Sequence, residues 1–242
     1  MRSGGTTLAA IVLATRGGAR LDAALARLAW ADARIVLDPA GAVAEASLPA
    51  GVSRLEDASR IDAAPAGWLV LLGEDETLEA EGVARLRLAL DRADGRTTFR
   101  LPVAARLFEV ELEGRRPSVR VAARGVPLGL RGGLSVEFAP SGPSGDVDAR
   151  IVRCEGTSLT DAVEALSAEA GALAALVDRV GWSGRGIVWR PLVAGARILV
   201  ARARSGRAGL GRWVVATIEA YRVVVAYAKL WERRRNRVLE LA

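Results

Sequence analysis

Apolar positions in the first hundred residues follow two alternating rhythms. LAAIVLA (Leu8–Ala14), ARIVLD (Ala33–Asp38) and GWLVLLGED (Gly67–Asp75) hold short unbroken apolar runs, as strands buried on both faces require. Between the first two, ARLDAALARLAWAD (Ala19–Asp32) carries Leu21, Leu25 and Leu28 at helical spacing. After the third, TLEAEGVARLRLALDRA (Thr77–Ala93) has acids in its first turn and arginines later, matching the helix dipole. The order strand, helix, strand, loop, strand, helix predicts an α/β domain with a largely parallel sheet. Leu8–Ala14 is at the short end for a signal-peptide core and no clean small-x-small cleavage site follows it, so it reads as a first buried strand.

From Thr97 to Cys154 the texture changes. TTFRLPV, RLFEVELEG, SVRVAARG and LSVEFAP alternate over short lengths between Gly and Pro, which predicts antiparallel ribbons. Three helical segments finish the chain: Ser158–Val180 with Ser158 as N-cap, Ile187–Arg204, and Arg212–Arg235. In the last, Glu219, Arg222, Lys229 and Arg233 form one polar stripe, and Trp213 and Trp231 lie five turns apart on a common apolar face. Such a helix reads either as interfacial, lying on a membrane, or as a core helix of its domain. Its charges break the apolar run and argue against a spanning helix.

Composition removes whole classes of chemistry. The 242 residues include no histidine, which excludes Ser-His-Asp and Cys-His catalysis and histidine-held zinc. One cysteine, Cys154, excludes an internal disulfide. Neither a G-x-x-x-x-G-K-[ST] loop nor a strand-borne G-x-G-x-x-G is present. Any catalysis falls to carboxylates, hydroxyls, arginines or a bound ion.

The net charge of +6 is unevenly placed. From Arg179 onward, 14 basic residues face three acids, a balance of +11, so the first 178 residues carry −5. An acidic body with a basic tail points to nucleic acid or an anionic membrane. Because the arginines are not interleaved with exposed aromatics, the pattern favours the membrane surface and no nucleic acid.

Taken in order, WADARIVLD, WLVLLGEDETL, SVRVAARG and YRVVVAYAKLWERRRNR resemble family 2 glycosyltransferases. The branch is the one that builds lipopolysaccharide inner cores, with WADEIVVVDSGS, WILSLDADE, QLRLFRRG, a His-Glu pair and a closing YxxFLxYAKLWE helix. The resemblance covers most of the chain and implies a GT-A fold, an α/β Rossmann-like nucleotide-binding domain with a mixed sheet. It places that domain at residues 1–157 and C-terminal amphipathic, membrane-associated helices at 158–242.

The resemblance also assigns roles. It implies an inverting transferase that moves a sugar from a nucleotide-sugar donor to a lipid-linked or envelope glycan acceptor, on the cytoplasmic side of the inner membrane. The alternative is a degenerate relative acting as a membrane-associated binding or scaffold subunit. Thr15, Asp38, Arg60 and Glu74 are the implied nucleotide-sugar residues. Asp75 is the implied ligand of a Mn²⁺ or Mg²⁺ ion on the diphosphate, and Glu137 the implied general base. The sequence departs from the family where Gly73 replaces the first Asp of D-x-D, Val136 replaces the histidine and Asp62 replaces an asparagine. Without the resemblance, Asp75 reads equally as a helix cap, Asp38 as a turn residue and Glu137 as a strand residue.

Overall fold

Every residue of β1 (Leu8–Leu13) is buried, because the strand runs through the middle of a sheet. β2 (Ala33–Leu37) and then β3 (Val52–Leu55) lie parallel on one side of it, and β4 (Trp68–Gly73) lies parallel on the other. Leu13 is in register with both Leu37 and Gly73, so the three strands end level. The next residues along each strand, Ala14, Asp38 and Glu74, therefore share one carboxyl edge. The computed structural model describes residues 6–41, 43–58, 61, 65–93, 95–107, 110–112, 117–131, 135–140, 142–155, 159–179, 193, 195–196, 200 and 210–240.

The remaining strands are β5 (Glu76–Leu78), β6 (Thr98–Leu101), β7 (Val103–Leu107), β8 (Val110–Leu112), β9 (Ser118–Ala123), β10 (Leu128–Arg131), β11 (Ser135–Phe138), β12 (Ser144–Asp146) and β13 (Ile151–Glu155). The main sheet has the order β12-β6-β9-β4-β1-β2-β3, and only β9 runs against its neighbours. This is the mixed α/β arrangement expected from the sequence. A second sheet, β5-β13-β7-β8, branches from the end of β4, and β10 and β11 form a separate ribbon.

Helices α1 (Gly18–Ala26) and α2 (Ala80–Asp91) cover one face of the main sheet. Leu21, Leu25, Val83, Leu86 and Leu90 pack with Ala10, Val12, Val70 and Leu72 in one core, each large side chain contributing about 1.5–3 kcal/mol on burial. Arg87 of α2 fastens this layer by donating to the carbonyls of Thr6 and Trp30. At the sheet edge Gly145 lies under Phe99, where an added Cβ would stand 2.5 Å from the ring.

Three expectations need correction. α1 stops at Ala26, since the chain tightens into i→i−3 bonds from Leu28 to Leu25 and from Ala31 to Leu28. The second helix starts at Ala80 rather than Thr77, because Glu76–Leu78 pairs with β13 as a strand. The region after Thr97 is not purely antiparallel: β12 lies parallel to β6, and β13 parallel to β7.

By residue contacts the chain forms two compact units, the second taking up the sequence from Gly156. In that unit α3 (Leu159–Arg179) packs on α4 (Leu210–Glu240). Small residues on α3 let the helices approach: Ala170 meets Val223, Ala226 and Tyr227, and Lys229 donates to the carbonyl of Ser167 at 2.8 Å. Lys229 is thus drawn onto α3, and Val225 packs against the same cluster instead of standing outward. Ser158 and most of Ile187–Arg204 lie outside the described residues.

Candidate functional site

The strand order reverses between β1 and β4, and ligands of open α/β sheets bind beyond the strand ends at such a point. Thr15 follows β1 there and Glu74 follows β4. The structure brings these two predicted residues together. The Glu74 carboxylate accepts bonds from Thr15 N (2.8 Å), Thr15 Oγ1 (2.9 Å), Arg16 N (3.2 Å) and Gly17 N (3.1 Å). Gly17, with φ 71°, opens these amides toward the carboxylate just before α1, where a helix favours negative charge. An anion from the neighbouring strand end already fills the cradle.

The other two acids of the turn also have internal partners. Glu76 is fully buried and lies opposite Arg153 in the β5–β13 pair, with Arg153 Nη2 3.2 Å from Oε1. Arg120 Nη2 reaches the same oxygen at 3.0 Å, and Gly73 N donates to Oε2 at 2.8 Å. Arg120 gets there through a bulge: Phe99 pairs with Val121 and Arg100 with Val119, leaving Arg120 with no opposite residue on β6. Ser118 Oγ accepts from Arg120 Nε at 2.9 Å and fixes the guanidinium. Asp75 is about one-third exposed, and its Oδ2 lies 3.2 Å from Arg153 Nε.

This accounts for Gly73 where the family carries an acid. A Cβ at that position would stand 2.8 Å from Asp75 Oδ1, so a side chain there displaces the carboxylate. Asp75 does not cap α2, whose N-cap is Glu79.

Asp38 lies on the same edge as Thr15 and Glu74 but has its own partners. Its side chain is wholly buried, and Oδ2 takes Val43 N at 2.9 Å and Arg54 Nη2 at 3.0 Å. Burying a carboxylate this deeply requires such compensation. Arg60 and Asp62 lie outside the described residues.

Glu137 belongs to a different feature, a cleft of about 390 Å³ walled by Arg100, Val119, Gly129, Glu137, Phe138 and Ser144 among others. The carboxylate is buried and accepts from Val119 N at 3.4 Å. Arg100 is held by Asp146 at 2.8 Å, and Ser144 shares a hydrogen bond with Thr98. The cleft combines an acid, an arginine and a hydroxyl with an aromatic wall, the mixture that small polar ligands use.

The divalent cation implied by the resemblance does not fit the acids as they are placed. Arg153 touches both Asp75 and Glu76, and Glu74 is turned to the β1–α1 amides. Among the described residues no group of three or more Asp, Glu, Cys or His converges on one point. Sequence reasoning missed Arg153 and Arg54, the two arginines that neutralise this edge. The available signal was an arginine inside an apolar strand, as in RIVRC, which demands a buried acid.

On α4, Trp213, Tyr221, Val224 and Trp231 are exposed, and the Arg235 guanidinium lies 5.4 Å from the Trp231 ring centroid. Among the described residues no helix is long and apolar enough to cross a membrane. The side chains of Val214 and Ile218 lie outside the described set.

No family model matches the chain, and no curated protein matches it. Among solved structures, the chain is similar to S. aureus TarS 1–349, at 13% identity and a TM-score of 0.36, covering 93% of this chain and 92% of that one. The complex of that protein with UDP gives 14% identity, a TM-score of 0.38 and coverage of 92% and 91%. The complex with UDP-GlcNAc gives 11%, 0.39, and coverage of 93% and 92%.

Proposed function

We propose that this protein is a GT-A-type glycosyltransferase that takes a sugar from a nucleotide-sugar donor and places it on a lipid-linked or envelope glycan. The reading draws on the motif resemblance and on the α/β topology, and one observation carries it: a buried carboxylate, Glu137, on the wall of a cleft of about 390 Å³. In an inverting displacement the acceptor hydroxyl oxygen bonds to the anomeric carbon while the bond to the nucleotide diphosphate breaks. Glu137 takes the hydroxyl proton, and Arg100, paired with Asp146, lines the same cleft. Asp38, Thr15 and Glu74 shape the edge that receives the nucleotide, each through its own internal bonds.

The same reading places the protein on the cytoplasmic face of the inner membrane. Its support is the exposed Trp213, Tyr221 and Trp231 on one helix that also carries Arg233, Arg234 and Arg235, aromatic and basic groups suited to an anionic lipid surface.

A second reading is favoured by the internal pairing of Asp38, Glu74, Asp75 and Glu76, which leaves each of these acids engaged within the protein. In it the chain keeps the fold and binds at the membrane without turnover. Calorimetric titration with a panel of nucleotide sugars separates the two. A transferase binds at least one of them; a scaffold binds none, and that result would retire the first reading.

A further inference from the structure

The acids of the turn Glu74–Glu76 follow β4 at the carboxyl edge of the parallel strands, beside the point where the strand order reverses. Arg153 is anchored by strand pairing, since it stands opposite Glu76 on β13, and its guanidinium has little freedom to leave. It contacts Asp75 through Nε and Glu76 through Nη2, both at 3.2 Å, with a side chain 6% exposed. Arg120, re-aimed by the bulge in β9, gives Glu76 a second positive partner. Two acids are matched by two arginines. Gly73 adds a steric constraint, because a Cβ there would stand 2.8 Å from Asp75 Oδ1 and the carboxylate would have to shift.

We infer that Arg153 holds the place of a divalent cation at this turn, so that the protein binds its anionic ligands without Mg²⁺ or Mn²⁺. A guanidinium fixed between two carboxylates occupies the oxygen atoms a hard cation needs, and a cation entering there would meet a buried positive charge. Glu74 offers no substitute ligand, because both of its oxygens are taken by the β1–α1 amides and the Thr15 hydroxyl. The absence of a cation site rests on these ion pairs, and the anionic ligand rests on the proposed function.

The test uses the full chain and Mn²⁺ as probe, with electron paramagnetic resonance counting free ion, in the presence and absence of UDP. The wild-type protein is expected to show no saturable Mn²⁺ site beyond the binding of UDP alone, measured without protein, and without UDP its melting temperature should be the same in Mn²⁺ and in EDTA. A saturable site that Asp75→Asn removes would overturn the proposal. Arg153→Met, which releases Asp75, should gain a Mn²⁺-dependent rise in melting temperature that wild type lacks. Should this variant not fold alone, its recovery by Mn²⁺ is the same readout. Absence of any Mn²⁺ effect on it would show that Arg153 is not what stands in for the ion. Failure to bind UDP under every condition counts against the proposed function only, because the Mn²⁺ count stands without nucleotide.

Discussion

Arg153 stands directly opposite Glu76 across the β5–β13 pair, its Nη2 3.2 Å from Oε1, and neither side chain is more than 6% exposed. A charge pair this deep gains little over an apolar pair of the same shape, but losing one partner strands the other. Glu76→Gln and Arg153→Met should each destabilise the fold by about 3–5 kcal/mol. The double variant should lose clearly less than the two losses together. Urea unfolding of the four proteins measures this, and simple additivity would show that the pair is not coupled.

Glu74→Ala removes the acceptor for the amides of Thr15, Arg16 and Gly17. Unsatisfied buried donors cost about 1–3 kcal/mol each, so the variant should lose at least about 2 kcal/mol. Amide hydrogen exchange should quicken at Thr15–Gly17 before it does so elsewhere in β1. Unchanged exchange at those three positions would mean that water or another group serves the cradle as well as Glu74.

If a donor and acceptor are found, Glu137→Gln should cut turnover by roughly a hundredfold or more and leave donor affinity unchanged. The substitution keeps the shape of the cleft wall and removes only the base. Full activity in this variant would take Glu137 out of the mechanism.

Attachment of the full chain to anionic vesicles should have two components. Arg233, Arg234 and Arg235 supply one that weakens with salt, each basic group adding about 1 kcal/mol near such a surface. Trp213 and Trp231 supply a remainder that resists salt. In flotation assays, replacing the three arginines by glutamine should remove the first, and replacing both tryptophans by serine the second. No flotation of the wild-type chain at low salt would dispose of the membrane reading.

The strands legible in the sequence were those with continuous apolar runs. β1, β2 and β4 are central and buried, and burial of both faces writes itself into composition. β3 and β5 escaped notice because VSRL and ETL are short and half polar, and the helical spacing after Thr77 ran over β5. β12 reads SGD; its place beside β6 depends on Gly145 lying under Phe99, a contact between residues far apart in the chain. The candidate acids could be seen, but not what they touch. Thr15 and Glu74 are separated by 59 positions, and nothing local to either announces the other. Arg120 was visible as a motif residue, yet only the register shift in β9 shows which way it points.

The crowding at Gly73 also makes the cost of mutational change at this turn depend on its order. Replacing Gly73 by aspartate first drives a new carboxylate against Asp75 while Arg153 still holds its place, so the intermediate carries extra negative charge in a congested loop. Replacing Arg153 first frees Asp75 to rotate outward, after which position 73 can accept a side chain. Each order carries its own cost, a displaced carboxylate when Gly73 changes first and a stranded Glu76 when Arg153 changes first.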